Sequence, residues 1–412
     1  MTEAEAAGAA AAAPLRVAVD ATAIPARLTG AGIYVARMLA ALAERIQRQQ
    51  AGAGRVDMAG PEADLALEVF AAPGSLAELA APGLQLHAVR AAGRGRPSRI
   101  AWSQIAAASA ARRAGANLLH GVHYELPLRA EAGVPQVVTV HDLTLITHPE
   151  WHEAAKVRWF RWAMRRAVAR AERVLCVSAT TARDLSEQLG IDPARIDVTP
   201  LGTDLRRAPD GDVAALRGRL GLGEREPYLL GLGTLEPRKD LPTLVRAFAL
   251  LAHDLPHRLV LAGLAGWGAG PLHQVVAASG VADRVLFTGY VPETDKAALF
   301  SGADVFVYPS RYEGFGLPVL EAMACGVPAV TTTGGSLPEV AGDGALLVEP
   351  GDPGVLAAAI AKLLGDPEGA GALARRGLAR AATQTWDRCA ALTAAAYRRA
   401  AASPRPRGRT RQ

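Results

Sequence analysis

The chain is poor in lysine, in cysteine and in long apolar runs. Lysine occupies only positions 156, 239, 296 and 362, although the 412 residues include 45 lysines and arginines. So strong a preference for arginine usually reflects genome composition. It makes Lys239 a stronger candidate functional residue, because Lys239 lies in the most motif-like loop of the C-terminal half. The net charge of +5 is mild and no nucleic-acid recognition motif is present, which argues against a nucleic-acid partner.

The cysteines, Cys176, Cys325 and Cys389, are far apart, odd in number and set among apolar residues. This usage predicts buried free thiols in a reducing compartment and no disulfide framework. No group of cysteines or histidines has the spacing of a metal site, so neither a metal nor another cofactor is expected.

No apolar run approaches the roughly 20 residues that cross a bilayer. The chain begins with the acidic stretch Met1–Glu5 and an alanine run, whereas an export signal begins basic and then turns strongly apolar. The sequence therefore predicts a cytoplasmic protein.

The length favours two domains. Short apolar runs without alternation, typical of parallel strands covered on both faces, are separated by helix-forming stretches. The predicted strands are Leu15–Val19, Leu118–Val122, Gln136–His141, Arg173–Val177, Ile196–Thr199, Tyr228–Leu232, Arg258–Ala262, Arg284–Phe287, Val305–Tyr308, Ala329–Thr332 and Ala345–Val348. Since this α/β alternation occurs twice, we expect two Rossmann-like doubly wound parallel-sheet domains that face each other across a cleft.

The predicted domain organisation has five parts. A disordered leader (1–14) precedes an N-terminal domain (15–205) and a C-terminal domain (206–385), with a short helix, Asp212–Leu220, bridging the halves. A last helix (386–401) is expected to pack back toward the N-terminal domain, before a basic disordered tail (402–412).

The most informative segment runs from Glu313 to Glu321 and reads Glu-Gly-Phe-Gly-Leu-Pro-Val-Leu-Glu. Pro318 suits the first turn of a helix, whose free backbone N–H groups bind anions such as phosphate. Gly314 and Gly316 let a ligand approach the backbone. Two carboxylates beside a phosphate site fit a ligand with phosphates in the middle and hydroxyls at both ends, which describes a nucleotide sugar.

Other candidate residues follow predicted strands. Arg238 and Lys239 are suited to bind a diphosphate, Arg238 through its planar guanidinium and Lys239 through its compact ammonium charge. The alternative is a pair of solvated charges on a loop. Gly30 and Gly32 precede a predicted helix, Ile33–Leu42, and form either a ligand loop or an ordinary strand–helix turn, because the third glycine of the dinucleotide fingerprint is absent.

Histidines also end predicted strands. His141 suits a sugar hydroxyl near neutral pH, and the alternative is a structural histidine at the sheet edge. His120 and His123 also lie at the end of a predicted strand, but they are weaker candidates for binding a sugar hydroxyl.

The stretch 156–173 predicts an amphipathic helix. The stripe expected to face the core consists of Val157, Phe160, Met164 and Val168. A second face combines aromatic and basic side chains: Trp159, Trp162, Arg166, Arg170 and Arg173. Such a face suits an anionic membrane interface, and an ordinary solvated helix is the alternative.

Long stretches of the chain resemble the retaining glycosyltransferases of family 4, which have the GT-B fold. In the C-terminal half the matching stretches are Gly233–Asp240, Phe287–Val291, Tyr308–Pro328 and Gly334–Val340. Asp20, Gly30–Tyr34 and Val140–Asp142 resemble, more loosely, the bacterial mannosyl- and rhamnosyl-type members that build cell-surface polysaccharides. One departure is Ile33, where some relatives carry an arginine.

The resemblance implies roles for these residues. Arg238 and Lys239 would stabilise the donor diphosphate as leaving group. His141 and Glu313 would contact the donor sugar, and Glu321 would bind the ribose. The other donor contacts that it implies, largely through the backbone, are Gly30, Gly32, Thr234, Tyr290, Val291, Gly314, Phe315, Gly316 and Leu317.

The implied activity is metal-independent transfer of a hexose, with retention, from a nucleotide diphosphate sugar. GDP-mannose is the favoured donor, ahead of UDP- and dTDP-sugars, and the acceptor is a hydroxyl of a glycan or a polyprenol-linked molecule at the inner face of the cytoplasmic membrane. Two alternatives remain: a GT-B epimerase or phosphorylase, and a non-catalytic nucleotide-sugar-binding protein.

Overall fold

A computed structural model describes residues 14–52, 64–129, 134–266 and 269–403. The predicted leader and basic tail lie outside the described residues, apart from residue 14 and residues 402–403.

The N-terminal domain is built on a parallel sheet of seven strands, in the order β3-β2-β1-β4-β5-β6-β7. These strands are β1 Leu15–Asp20, β2 Leu65–Ala71, β3 Leu84–Ala88, β4 Leu118–Gly121, β5 Gln136–Val140, β6 Arg173–Cys176 and β7 Ile196–Val198. The helices of this half are α1 Ala31–Gly52, α2 Leu76–Leu79, α3 Arg96–Ala101, α4 Ala107–Arg113, α5 Thr144–Thr147, α6 Ala154–Arg170 and α7 Ala179–Leu189.

The C-terminal domain follows the helix α8 and contains a parallel sheet of six strands, in the order β10-β9-β8-β11-β12-β13. The strands are β8 Tyr228–Leu232, β9 Arg258–Ala262, β10 Val285–Gly289, β11 Val305–Tyr308, β12 Ala329–Thr332 and β13 Leu346–Val348. The helices are α8 Asp210–Leu220, α9 Leu241–Leu251, α10 Ala269–Ala278, α11 Glu293–Ser301, α12 Leu317–Ala324, α13 Leu337–Ala341, α14 Pro353–Gly365, α15 Pro367–Ala382 and α16 Trp386–Ala402.

The predicted fold class of two doubly wound parallel sheets is confirmed, and each predicted strand exists with its ends shifted by at most two residues. The predictions miss β2 and β3, whose leucine, alanine and glutamate content favours a helix. Both stretches nevertheless form strands, β2 pairing with β1 and β3 with β2. Glu68 of β2 is buried and binds Arg16 of β1 at 2.5 Å and His87 of β3 at 2.7 Å.

The predicted helix 156–173 ends earlier than expected. Its core-facing stripe is buried as predicted, but the helix stops at Arg170 and the chain becomes extended at Ala171. Placing Arg173 on the helical face is therefore wrong. Arg173 is the first residue of β6, and its guanidinium binds the Asp197 carboxylate at 2.6 and 2.7 Å.

The last helix, α16, lies against the N-terminal domain, where it contacts α1 and the strands β4–β7. Its Tyr397 is fully buried and its hydroxyl is 2.8 Å from Nδ1 of His120 on β4. Nε2 of His120 is 2.8 Å from the Thr139 hydroxyl, and burial lowers the pKa of His120 to about 3. His120 is therefore a neutral structural residue that ties α16 to the sheet, and it takes no part in the cleft.

The three cysteines are buried and free, as predicted. Within the described ranges, none of the helices has the combination of length and apolar character that a membrane span requires.

Replacing Tyr397 by phenylalanine should destabilise the protein, because Nδ1 of the buried His120 would lose its partner. We expect the free energy of unfolding to fall by about 1–3 kcal/mol. Urea denaturation followed by circular dichroism measures this loss. An unchanged unfolding midpoint would show that the contact between α16 and β4 contributes nothing to stability.

Candidate active site

A cavity of about 390 Å³ lies between the two sheets, where the carboxyl ends of their strands face one another. Both domains line it, so neither sheet forms it alone. Every residue predicted for the site contributes to its wall: Gly30, Gly32, His141, Thr234, Arg238, Lys239, Tyr290, Val291, Glu313, Gly314, Phe315, Gly316, Leu317 and Glu321.

The loop between β11 and α12 requires its two glycines. Gly316 has φ +97°, a left-handed conformation that favours glycine, and a Cβ there would lie 2.5 Å from a side-chain carbon of Leu337. A Cβ on Gly314 would lie 1.8 Å from the carbonyl oxygen of His141, which belongs to the other domain. The glycines thus start α12 at the cavity and bring this loop against the N-terminal domain.

The Glu313 carboxylate is the centre of the polar cluster in this cavity. It is 6% exposed and accepts hydrogen bonds from four side chains. The donors are Arg238 Nη1 at 2.7 Å, Lys239 Nζ at 2.6 Å, Ser310 Oγ at 2.6 Å and Tyr308 OH at 3.0 Å. Two cations from the loop after β8 are therefore held by one carboxylate from the loop after β11.

The cations control the ionisation of Glu313. Burial alone would raise the pKa of this carboxyl, but Arg238 and Lys239 outweigh burial and lower that pKa to about 2. Burial and the neighbouring Arg238 lower the pKa of Lys239, and Glu313 opposes them. Glu313 is consequently a permanent anion near neutral pH, and its oxygens are committed to the two cations in this state.

Glu321 forms a second buried ion pair on α12. Its carboxylate oxygens lie 3.1 and 3.5 Å from Nζ of Lys296, which also contacts Glu293 at 2.8 Å. Burial raises the pKa of Glu321, while Lys296 opposes the shift. The two carboxylates of the Glu313–Glu321 segment therefore face different cations at different parts of the cavity.

His141 directly follows the strand β5 on the opposite wall. Its Nε2 is 2.8 Å from the carbonyl oxygen of Val122, so it donates to that carbonyl, and its ring meets the Tyr34 ring edge to face at 5.2 Å. Burial lowers its pKa, so the imidazole is neutral near pH 7. Nδ1 is then the acceptor of this ring.

The part of the cavity wall that the N-terminal domain forms also includes the turn before α1. Gly30 has φ +42° and a Cβ there would meet open space. Close to this turn, the Arg27 guanidinium lies 6.0 Å from the centre of the Tyr290 ring, which follows β10. The N-terminal turn and the β10 loop thus face one another.

Comparison with known proteins identifies the family. The model named Glycosyltransferase Family 4 matches residues 28–207, and the model named Glycosyl transferases group 1 matches residues 212–380. The O-antigen chain mannosyltransferase B of Escherichia coli is 35% identical over 286 residues, which are 68% of this chain and 74% of that protein. The chain belongs to glycosyltransferase family 4.

Other relatives differ in what their names say they act on. The MMP alpha-(1->4)-mannosyltransferase of Mycolicibacterium hassiacum is 33% identical, over 66% of this chain and 67% of that protein. A D-inositol 3-phosphate glycosyltransferase of Geodermatophilus obscurus is 40% identical, over 58% of this chain and 56% of that protein. The chain thus aligns with only part of the length of these relatives.

Solved structures show the fold of this family 4 member. Sucrose-phosphate synthase from Thermosynechococcus elongatus superposes with a TM-score of 0.72 at 23% identity, covering 93% of this chain and 98% of that one. WaaG, a glycosyltransferase involved in lipopolysaccharide biosynthesis, superposes with a TM-score of 0.66 at 17% identity, covering 92% and 98%. The fold is GT-B, as the sequence resemblance implied.

Several residues of the family 4 cavity escaped the sequence analysis. Tyr308 and Ser310 complete the shell of Glu313, Lys296 binds Glu321, and Glu236 lies 3.2 Å from Arg238. Lys296 had a signal, since it is one of only four lysines. Glu236, Tyr308 and Ser310 lie within the stretches that resemble the family, but only their neighbours in the fold show what each of them binds.

Replacing Glu313 by glutamine should destabilise the fold in a pH-dependent way. The folded pKa of about 2 lies below the ordinary value of 4.5, so the ionised carboxylate stabilises the fold fully above about pH 4.5 and loses this effect as the pH falls toward 2. We expect a loss of roughly 3–5 kcal/mol at pH 7, since the buried Lys239 and the partly buried Arg238 lose their anion.

Urea denaturation of the wild type and the Glu313→Gln variant between pH 7 and pH 3 measures this difference. The gap between the two proteins should narrow as the pH falls below 4.5. A gap that stays constant over this range would contradict the ionised state of Glu313.

Proposed function

We propose that this glycosyltransferase moves a hexose from a nucleotide diphosphate sugar to an acceptor hydroxyl, with retention at the anomeric carbon. The observation that carries the proposal is the pair of cations, Arg238 and Lys239, placed beside the start of α12 in a cavity lined by both domains. Phosphate oxygens are the natural partners of such an arrangement.

The two cations have donors left for a diphosphate. Among the contacts of the described residues, Arg238 uses Nε and Nη1, so its Nη2 is left for a ligand. Lys239 uses two of its three ammonium hydrogens, toward Glu313 and Tyr308. Negative charge that develops on the leaving diphosphate would meet these donors and the free N–H groups of α12, which takes the place of a metal ion.

The ribose would lie at Glu321 and the base near Tyr290 and Val291, on the C-terminal-domain side of the cavity. Burial raises the pKa of Glu321 and Lys296 opposes this shift, and ribose hydroxyls would add further donors to its carboxylate. The sugar would then extend past the diphosphate toward Glu313 and His141, with Gly30 and Gly32 closing the far side.

A same-face mechanism fits the carboxylates of this cavity. Each one that lines it within the described residues already accepts hydrogen bonds or ion pairs: Asp142, Glu236, Glu293, Glu313 and Glu321. None of them is therefore favoured as a covalent nucleophile. The leaving phosphate would take the proton from the acceptor hydroxyl as the new bond forms on the face that the phosphate leaves.

The favoured donor is GDP-mannose, supported by two relatives that are named mannosyltransferases, and UDP- and dTDP-sugars are the next candidates. The acceptor would be a glycan or a polyprenol-linked molecule, in keeping with the O-antigen relative. We place the reaction in the cytoplasm, at the inner face of the cytoplasmic membrane.

A surface of the N-terminal domain supports this membrane contact. The exposed apolar side chains Ile105, Leu128 and Trp162 are 73%, 42% and 45% exposed. They are neighbours, since the Leu128 N–H donates to the carbonyl of Gln104, and Arg166, over the Trp162 ring at 5.7 Å, donates to the carbonyl of Leu128. We call Ile105, Leu128 and Trp162 the apolar patch.

The second face predicted for α6 contributes less than expected. Trp159 is half-buried and donates to Glu125 at 3.0 Å, and Arg170 donates to the carbonyl of Leu128 at 2.7 Å. Arg158 and Arg165 are exposed on the same helix. The apolar patch with these two arginines is the surface we propose for an anionic membrane.

Replacing Arg238 by glutamine should lower donor turnover by roughly 100-fold or more, because one donor to the developing charge is lost. Incubation with GDP-mannose and a lipid-linked acceptor, with the anomeric configuration of the product read by NMR, measures turnover and retention together. Arg246→Gln is the matched control, since Arg246 is exposed on α9.

Turnover near that of the wild type in Arg238→Gln would remove the diphosphate assignment. An inverted product would remove retention. An isomerised or phosphorolysed sugar would establish the epimerase or phosphorylase alternative, and donor binding without transfer or hydrolysis over a wide acceptor panel would establish the non-catalytic one.

Replacing Trp162 by alanine should weaken sedimentation with liposomes that contain anionic lipid, and added salt should weaken it further. Leu250→Ala is the matched control, because Leu250 is 61% exposed on the other domain. Equal sedimentation of both variants and the wild type would dismiss the apolar patch as a membrane contact.

A further inference from the structure

The helix α7 of the N-terminal domain begins against the C-terminal domain. Its own cap, Ser178, accepts a hydrogen bond from the N–H of Thr181 at 3.0 Å, and its first turn contains no acidic residue. The N–H groups of Ala179 and Thr180 instead donate to the carboxylate of Glu339, at 2.8 and 3.0 Å.

Glu339 lies on α13, in the C-terminal domain, so this contact joins the two domains. The Thr180 hydroxyl also donates to it, at 3.2 Å. A carboxylate that accepts two backbone N–H groups at a helix start is favoured by charge-assisted hydrogen bonding and by the helix dipole. When the domains move apart, these N–H groups lose the carboxylate as their partner.

The backbone that carries Glu339 also holds the loop before α12. The Ser336 hydroxyl donates to the carbonyl of Glu313 at 3.0 Å or to that of Phe315 at 2.8 Å, and its N–H donates to the carbonyl of Glu313 at 3.0 Å. Arg380 donates to the carbonyl of Glu339 at 2.6 Å, which fixes the start of α13.

The N-terminal domain reaches the same loop from its own side. The Thr181 hydroxyl, one residue after Thr180, donates to the carbonyl of Gly314 at 3.2 Å. Tyr312, just before Glu313, donates its hydroxyl to Asp184 of α7. The start of α7 therefore contacts the loop 312–316 both directly and through Glu339.

We propose that Glu339 is a positioning residue, which couples the arrangement of the two domains to the loop 313–316. Glu339 is not among the residues that line the cavity. It holds α7 so that the loop with Glu313 keeps its place against His141, and the transfer site is complete only while that contact is made. The effect on transfer rests on the proposed function, whereas the effect on domain arrangement does not.

The contact also predicts which step depends on Glu339. The nucleotide would be held by residues of the C-terminal domain, so its binding does not need the contact. Transfer needs groups from both domains around the reacting carbon, so it depends on the contact made by Glu339. Loss of Glu339 should therefore lower kcat and leave the binding of a nucleoside diphosphate nearly unchanged.

The test compares Glu339→Ala and Glu339→Gln with Asp352→Ala in the full chain. Asp352 is a matched control because its carboxylate accepts from the N–H groups of Gly354 and Val355, at 2.7 and 3.1 Å, but at a helix start of its own domain. Spin labels on Gln188→Cys and Arg375→Cys report the distance between domains, since the native cysteines are buried.

In Glu339→Ala we expect a broader distribution of label distances, shifted to longer values, and a kcat for hexose transfer that is about tenfold lower. The Kd of GDP should change by less than about twofold. Glu339→Gln, which keeps one acceptor oxygen, should lie between the wild type and Glu339→Ala, and Asp352→Ala should match the wild type in distance and kcat.

A distance distribution like that of the wild type in Glu339→Ala would overturn the proposal. So would a changed distribution with an unchanged kcat, because Glu339 would then join the domains without positioning the loop. Failure of the proposed function has a different signature: no nucleotide sugar is turned over by the wild type, while the distances still respond to Glu339→Ala.

Discussion

The burial of two neighbouring cations around one carboxylate is the constraint on which the site depends. Arg238 and Lys239 repel each other and lose hydration in the cavity, so neither is tolerated there without Glu313. The loop after β8 must therefore meet the loop after β11, whose strands are neighbours in the sheet. Ser310 and Tyr308 also donate to Oε1 of this carboxylate, which helps to orient it.

The second dependence is the close approach of the two domains at the same loop. Gly314 leaves no room for a side chain against the carbonyl of His141, so the N-terminal domain is in direct contact with the residue that follows Glu313. Farther along the chain, α16 returns to the N-terminal domain and is fixed there by Tyr397 and His120. Residues of both domains line the cavity, so its shape depends on how the domains meet.

Most strands could be predicted from the sequence because parallel strands that are buried on both faces consist of short apolar runs without alternation. The strands of the second sheet illustrate this, with β8, β9, β11 and β12 found at their predicted bounds. β2 and β3 were missed because their side chains favour a helix, whereas their backbone pairing with β1 and with each other makes them strands. Arg173 was assigned both to a helical face and to the start of a strand, and its backbone pairing with β5 decides for the strand.

The sequence by itself determined the architecture, the family and the residues that line the cleft, because strand ends and glycine-rich helix starts are local patterns. Only the tertiary structure decided what these residues do to one another. It committed Glu313 to the two cations, paired Glu321 with Lys296, made His120 structural and brought Glu339 to the start of a helix of the other domain. These are contacts between residues far apart in the chain, and their energies depend on burial and distance, which no local pattern encodes.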